Sequence, residues 1–110
     1  MRAMTEVKLT IDAGVCRFKT RVHAIGSEDY MSVNLVIESE CPNVKKIAEK
    51  LKVVDAIEIV SPPLTGNSVY RAFDEIREAH SACPVPSGIL RACEAASGNA
   101  LKKNVTFTFE

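Results

Sequence analysis

Three runs of alternating apolar and polar residues within the first 40 residues constrain the fold most. They cover residues 7–12, 16–24 and 31–37, and each places its apolar side chains on one face. A period of two is typical of strands with one buried face and one face in water. Short polar or glycine-containing turns separate the runs, so we predict an antiparallel meander of three strands. The phase of the second run places Cys16 on its inward face.

Helical spacing follows the third strand. Pro42 suits the first turn of a helix, which we predict over residues 43–52. Asn67 is an N-cap for a second helix, whose inner apolar stripe reaches His80. A third helix is predicted over residues 86–97, before a terminating glycine.

Two shorter segments complete the expected fold. Residues 53–60 are apolar and fit either a short strand or an extension of the first helix. Residues 105–109 alternate Val and Phe with Thr, which predicts a final strand that joins the sheet. We therefore expect residues 1–110 to form a single α+β domain, with an antiparallel sheet of three to four strands and three helices packed on one face.

Composition and patterning disfavour several partners and activities. Fourteen basic residues balance fourteen acidic ones, and no basic patch interleaves with aromatics, so we expect no nucleic-acid partner. No apolar run approaches the roughly 20 residues that cross a bilayer, so we expect no membrane partner. Residues 1–12 lack the pattern of a secretory leader, which favours a cytoplasmic location. No Ser-His-Asp spacing, phosphate loop or paired-carboxylate motif supports a hydrolase or a nucleotide enzyme.

The chain's four cysteines carry the most chemical information. In a reducing compartment they are free thiols, metal ligands or redox groups rather than a disulfide framework. Cys41 and Cys83 each precede a proline at the start of a predicted helix. Unpaired amides and the positive end of the helix dipole stabilise a thiolate there, so we expect a lowered cysteine pKa at both positions.

Cys16, Cys41 and Cys83 are therefore the candidate thiolate ligands of a metal site. His80 precedes Cys83 by three residues, the spacing of a local His-x-x-Cys chelate, and is the candidate fourth ligand. Three sulfurs and one nitrogen suit zinc or an iron–sulfur cluster. Cys93 lies in the apolar stripe of the third helix, where core packing is the favoured interpretation, and it is excluded from the site.

Residues 80–90 (His-Ser-Ala-Cys-Pro-Val-Pro-Ser-Gly-Ile-Leu), with residues 13–16 and 40–42, resemble a family of small uncharacterised proteins that carry these three segments in this order. That resemblance covers nearly the whole chain and implies no particular activity. At Arg17 this sequence departs from the glycine expected in that family.

The cysteine layout is also similar to that of NifU-type iron–sulfur scaffold proteins. Those proteins present one cysteine between the first two strands, a second between strand three and a helix, and a third before a late helix. Cys16, Cys41 and Cys83 match that layout. The scaffold family carries aspartate and histidine where this chain has Phe18 and Ala82.

Three functional hypotheses follow from the sequence. The first is a non-enzymatic protein that binds a metal or an iron–sulfur cluster and passes it to an accepting protein. The second is a thiol redox protein with Cys83 or Cys41 as a low-pKa thiolate. The third is a structural or homo-oligomerisation module with buried, unreactive thiols, using the sheet or a free strand edge as an interface.

Overall fold

An antiparallel sheet organises the chain. The computed structural model describes residues 5–61, 63, 66–76 and 80–110. The strands are β1 (Glu6–Asp12), β2 (Lys19–Gly26), β3 (Ser32–Ser39) and β4 (Val53–Asp55). They pair in the order β1-β2-β3-β4, and each neighbouring pair is antiparallel. The predicted meander is confirmed, and β1 and β4 form the two edges of the sheet.

The described helices are α1 (Pro42–Lys50), α2 (Ala56–Val60), α3 (Ser68–Asp74) and α4 (Val85–Ala96). The first and last of them lie within about two residues of the predicted boundaries. Residues 53–60 form a short strand and then a short helix. Asp55 marks the change, because its carboxylate accepts hydrogen bonds from the backbone N–H groups of Ile57 and Glu58 at 2.8 and 3.2 Å.

One face of the sheet forms one side of the core, and the helices cover it. Its buried aliphatic residues are Val7 and Ile11 of β1, Val22 and Ala24 of β2, Val33, Leu35 and Ile37 of β3, and Val54 of β4. The alternate residues, such as Lys8, Arg21 and Glu38, are exposed on the other face. The expected α+β fold is confirmed. Within the described ranges, none of the helices is both long and apolar enough to cross a bilayer.

Two glycines allow α4 to lie directly on the sheet. An added Cβ at Gly88 in α4 would stand 2.4 Å from Ile11 Cδ1 in β1. An added Cβ at Gly26 in β2 would stand 2.1 Å from the backbone oxygen of Ala96, the last residue of α4. Because Ile11 and Gly26 lie at opposite ends of the β1–β2 pair, these contacts fix the direction of α4 along the sheet.

The second strand starts later than the sequence predicts. It begins at Lys19, and residues 13–18 form the connection from β1. The backbone N–H of Arg17 donates to Gly14 O at 2.9 Å, and that of Ala13 donates to Phe18 O at 3.2 Å. Gly14 and Arg17 have φ of 79° and 63°, so the chain reverses here instead of remaining extended. The predicted inward position of Cys16 in a strand is wrong, and its side chain is exposed.

The second predicted helix is shorter than expected. α3 ends at Asp74, and the N–H of Ile76 donates to Phe73 O at 3.0 Å, a tightened turn typical of helix ends. Val69 and Phe73 are buried as the stripe predicts. His80 is exposed and outside any helix, so its predicted place on the inner stripe is wrong. Residues 77–79 lie outside the described part of the chain.

Residues 101–110 do not form the final strand that their alternation predicts. They have no regular secondary structure, and every one of them is exposed. The fourth strand of the sheet is β4 instead. An alternating pattern fixes which side chains share a face, but a strand forms only where a second strand supplies backbone partners.

The close contact at Gly26 predicts that the stability of the fold is sensitive to a side chain at this position. Gly26→Ala should lower the free energy of unfolding by about 1–3 kcal/mol, because the new methyl group meets the Ala96 backbone rather than a movable side chain. Gly66→Ala is the matched control. Its Cβ would make only an ordinary 3.5 Å contact with Pro63 Cγ, so its effect should stay within about 0.5 kcal/mol. Urea unfolding of both variants measures the difference, and equal effects would contradict the proposed clash.

Candidate functional site

The fold gathers three cysteines at one end of the sheet. Cys16 lies in the connection between β1 and β2, Cys41 is the N-cap residue of α1, and Cys83 directly precedes the N-cap of α4. The register pairs the start of β2 with the ends of β1 and β3, which places the first two segments side by side. The contact of Gly88 with Ile11 brings the start of α4 to the same end.

Hydrogen bonds attach the Cys41 segment to the start of β2. The N–H of Cys41 donates to Ser39 Oγ at 3.1 Å, and that hydroxyl pairs with Thr20 Oγ1 at 2.7 Å. The N–H of Lys19 donates to Glu40 Oε1 at 2.9 Å. Thr20 is buried, so this polar contact is shielded from water. The backbone at Cys41 is therefore held against the strand that follows the Cys16 connection.

The pKa of Cys83 reports on its neighbours. Burial of the thiol raises this pKa above its ordinary value, a hydrogen bond from the backbone of Val85 lowers it, and the charges of Cys41 and then Cys16 raise it further. Both cysteines therefore lie near enough to Cys83 for their charges to act on it.

The expected lowering of the Cys83 pKa is wrong. The amide of Val85, at the start of α4, does act in the predicted direction. Cys83 and Cys41 are also partly buried against the hydrophobic core, and removing a thiolate from water disfavours its charge. For Cys83, this loss of solvation outweighs the amide.

Cys93 behaves as the sequence predicts. It is fully buried in α4, where desolvation and then the charge of Glu94 raise its pKa to about 12. Neither Cys16 nor Cys41 acts on its pKa, which separates it from the other three thiols. The prediction that Cys93 packs in the core is confirmed.

The thiols lie near one another without forming a finished metal site. Within residues 5–61, 63, 66–76 and 80–110, no three His, Cys, Asp or Glu side chains form a group that could hold a metal ion. All four cysteines are free. His80 contributes a backbone contact, since its carbonyl accepts a hydrogen bond from the N–H of Cys83 at 3.1 Å. Its imidazole is exposed and is not among the groups that shift the Cys83 pKa.

Several residues at this end of the sheet were not identified from the sequence. Thr20 and Ser39 are polar residues in the inward phase of strands that are otherwise aliphatic, and this interruption was the available signal. Val15 and Phe18 flank Cys16 as exposed apolar residues, at 101% and 36% relative exposure.

Comparison with known proteins gives one match. The model of a family of unknown function, DUF6951, matches residues 7–109, which is nearly the whole chain. No curated protein and no solved structure matches the chain significantly.

The repulsion between the thiolates can be tested without any metal. In the variant Cys16→Ser/Cys41→Ser the two neighbouring charges disappear, so the pKa of Cys83 should fall. Alkylation requires the thiolate, and the midpoint of the Cys83 alkylation rate against pH should therefore move to lower pH. Peptide mass spectrometry of metal-free protein measures this rate.

Cys93→Ala is the control for that experiment. It also removes a thiol, but one that does not act on Cys83, so the Cys83 midpoint should stay where the unmodified chain has it. An unchanged midpoint in the double variant would show that the three thiols are too far apart to interact.

Proposed function

We propose that this chain, which belongs to the family of unknown function DUF6951, binds zinc or an iron–sulfur cluster through the thiolates of Cys16, Cys41 and Cys83. The observation that carries the proposal is that the fold brings the three separate segments with Cys16, Cys41 and Cys83 to one end of the sheet. Three thiolates from three separate segments form a donor set that both kinds of centre accept. Their layout along the strands and helices is also the one in which this chain is similar to NifU-type scaffold proteins.

The exposure of these thiols favours a metal at this position over inert core thiols. Three cysteines held together as thiolates would repel one another, and a bound cation would offset that repulsion. A purely structural role would fit a fully buried thiol such as Cys93, whereas Cys16 is exposed and Cys41 and Cys83 are only partly buried.

The candidate ligands would have different roles in binding. Cys41 and Cys83 stand at helix starts that are packed on the core, so they form the fixed part of the site. Cys16 lies in the exposed connection 13–18, which would close toward them to complete the ligand set. His80 is the candidate fourth ligand, because it is exposed and the Cys83 N–H contact holds its backbone nearby.

Proton release would accompany binding. Cys83 must lose its proton to become a ligand, and its raised pKa means that a metal competes with that proton. Affinity should therefore fall as pH falls. An incompletely enclosed site would let an accepting protein take the metal or cluster, which makes a carrier the favoured role within a reducing, cytoplasmic setting.

Thiol redox chemistry is the second candidate, because the same proximity would let two of the three thiols form a disulfide. That oxidation removes two protons and two electrons, which pass to an external thiol-oxidising reagent or disulfide. The raised pKa of Cys83 counts against it as the attacking thiolate at neutral pH.

Analysis of protein purified without oxygen and without added metal tests the proposal. We expect bound zinc, or iron with acid-labile sulfide and visible absorption, and we expect apoprotein to take up Co²⁺ with thiolate-to-metal charge-transfer bands. Cys16→Ser/Cys41→Ser/Cys83→Ser should lose both the metal and the bands. His80→Ala should weaken binding while leaving the three-sulfur absorption in place.

Cys93→Ala serves as the control, since it removes a core thiol and should retain full metal content. Full metal content in the triple serine variant would refute the proposal, as would unmodified apoprotein that takes up neither Co²⁺ nor Zn²⁺. A disulfide among these cysteines in metal-free protein, formed reversibly with glutathione, would instead favour the redox role.

A further inference from the structure

We propose that residues 101–110 add as a fifth strand to β1 of a second copy of this chain, so that two copies exchange these segments in a homodimer. The inference is independent of the thiol site. It rests on the strand-like pattern of residues 101–110 and on the position of β1 at an edge of the described sheet.

Residues 101–110 have the residue types of a β-strand. Their side chains are exposed, as those of a strand without a neighbour would be. Val105, Phe107 and Phe109 share one side of an extended chain and are 54%, 86% and 101% exposed. Thr106 and Thr108 occupy the other side. β-branched and aromatic residues in this alternation favour a sheet with one buried face, and three large apolar side chains left in water mark an interaction surface.

β1 offers the backbone partners that such a strand needs. It is an edge strand, paired only with β2 in the described sheet. The bonds from Gly26 N to Thr5 O (2.8 Å) and from Ala13 N to Phe18 O (3.2 Å) fix which residues face β2. Hydrogen-bonded positions alternate along an antiparallel pair, so Lys8 and the even-numbered residues beside it direct their N–H and C=O groups outward.

The side chains of the two strands match face to face. On the core side of β1, Val7 and Ile11 are buried, but Leu9 between them is only partly buried. A strand placed beside β1 would lay its Val and Phe side chains over Leu9 and extend the core. Its threonines would then join Lys8 and Thr10 on the wet face. β1 has seven residues, a length that the 101–110 segment can span.

The β1 strand that accepts this segment belongs to a second copy of the chain in our proposal. Lys102 Nζ donates to Glu6 O at 3.5 Å, so the segment starts at the Glu6 end of its own β1. Pairing with that strand would therefore run parallel, and residues 101–110 leave it unpaired. A partner's β1 can be approached antiparallel, which continues the antiparallel sheet and is slightly more stable per residue.

Reciprocal exchange also closes the assembly. In a two-fold dimer each copy donates one segment and accepts one, so no β1 edge remains for further copies. The other edge of the sheet is a poor alternative acceptor, because β4 has only three residues.

Light scattering coupled to size exclusion tests the proposal. The unmodified chain should elute with twice the 12.0 kDa mass of one chain. Phe107→Lys/Phe109→Lys should elute as the single chain, because both charges would enter the extended core. Thr106→Lys/Thr108→Lys adds the same charges on the wet side of the same segment and should remain dimeric.

A second pair of variants tests the acceptor edge. Thr10→Pro removes an outward N–H from β1 and should abolish the dimer, whereas Thr10→Ala keeps that donor and should preserve it. The triple serine variant of the thiol site should remain dimeric, which separates this proposal from the proposed function. A monomeric unmodified chain at all concentrations would overturn the exchange, and so would a dimer that survives Phe107→Lys/Phe109→Lys.

Discussion

The close approach of α4 to the β1–β2 pair is the contact on which the rest of the structure depends. It requires bare backbone at two positions, since a methyl group at Gly26 would collide with the carbonyl of Ala96 and one at Gly88 would collide with Ile11. Seated in this way, α4 buries Ile89, Ala92 and Cys93 completely. The two close approaches lie near the two ends of the helix, so its first residue has a defined place over the sheet.

The placement of α4 determines the surroundings of the Cys83 thiol. The start of α4 carries Cys83 to the end of the sheet where the β1–β2 connection and the start of α1 already lie. Two opposing effects act on the Cys83 thiolate there, because the helix amide stabilises its charge while burial and the neighbouring thiolates destabilise it. Destabilisation prevails in the metal-free chain. The raised pKa therefore counts against Cys83 as a freely reactive thiolate at neutral pH.

The same packing leaves the sheet incomplete on the other side of β1. α4 covers the inner face of β1 and β2 but does not cover the outer edge of β1, where Leu9 is only partly buried. Residues 101–110 follow α4 and carry the alternation of a strand without a partner in the described sheet. The proposed exchange would use the edge of β1, whereas the three candidate cysteines lie near the end of β1. The two proposals are therefore compatible in one molecule.

Local sequence patterns were enough to predict the strands and helices that form through local interactions. Alternation predicted the three long strands and helical spacing predicted α1 and α4, because each pattern sorts side chains to one face whatever the neighbours are. The buried place of Cys93 followed from the same spacing. The sequence alone therefore established the fold class, the meander and the positions of Cys41 and Cys83 at helix starts.

Tertiary structure decided those features that depend on residues far apart in the sequence. Alternation could not tell that the strand at Cys16 would give way to a turn closed by the Gly14 and Arg17 conformations, or that α3 would end before His80. It also could not supply a partner edge for residues 101–110. The ionisation of Cys83 depends on burial and on two thiols far away in sequence, and a helix-start motif carries information about neither. Strand pairing and charge interactions are set by distances in space, which neither alternation nor helical spacing along the chain encodes.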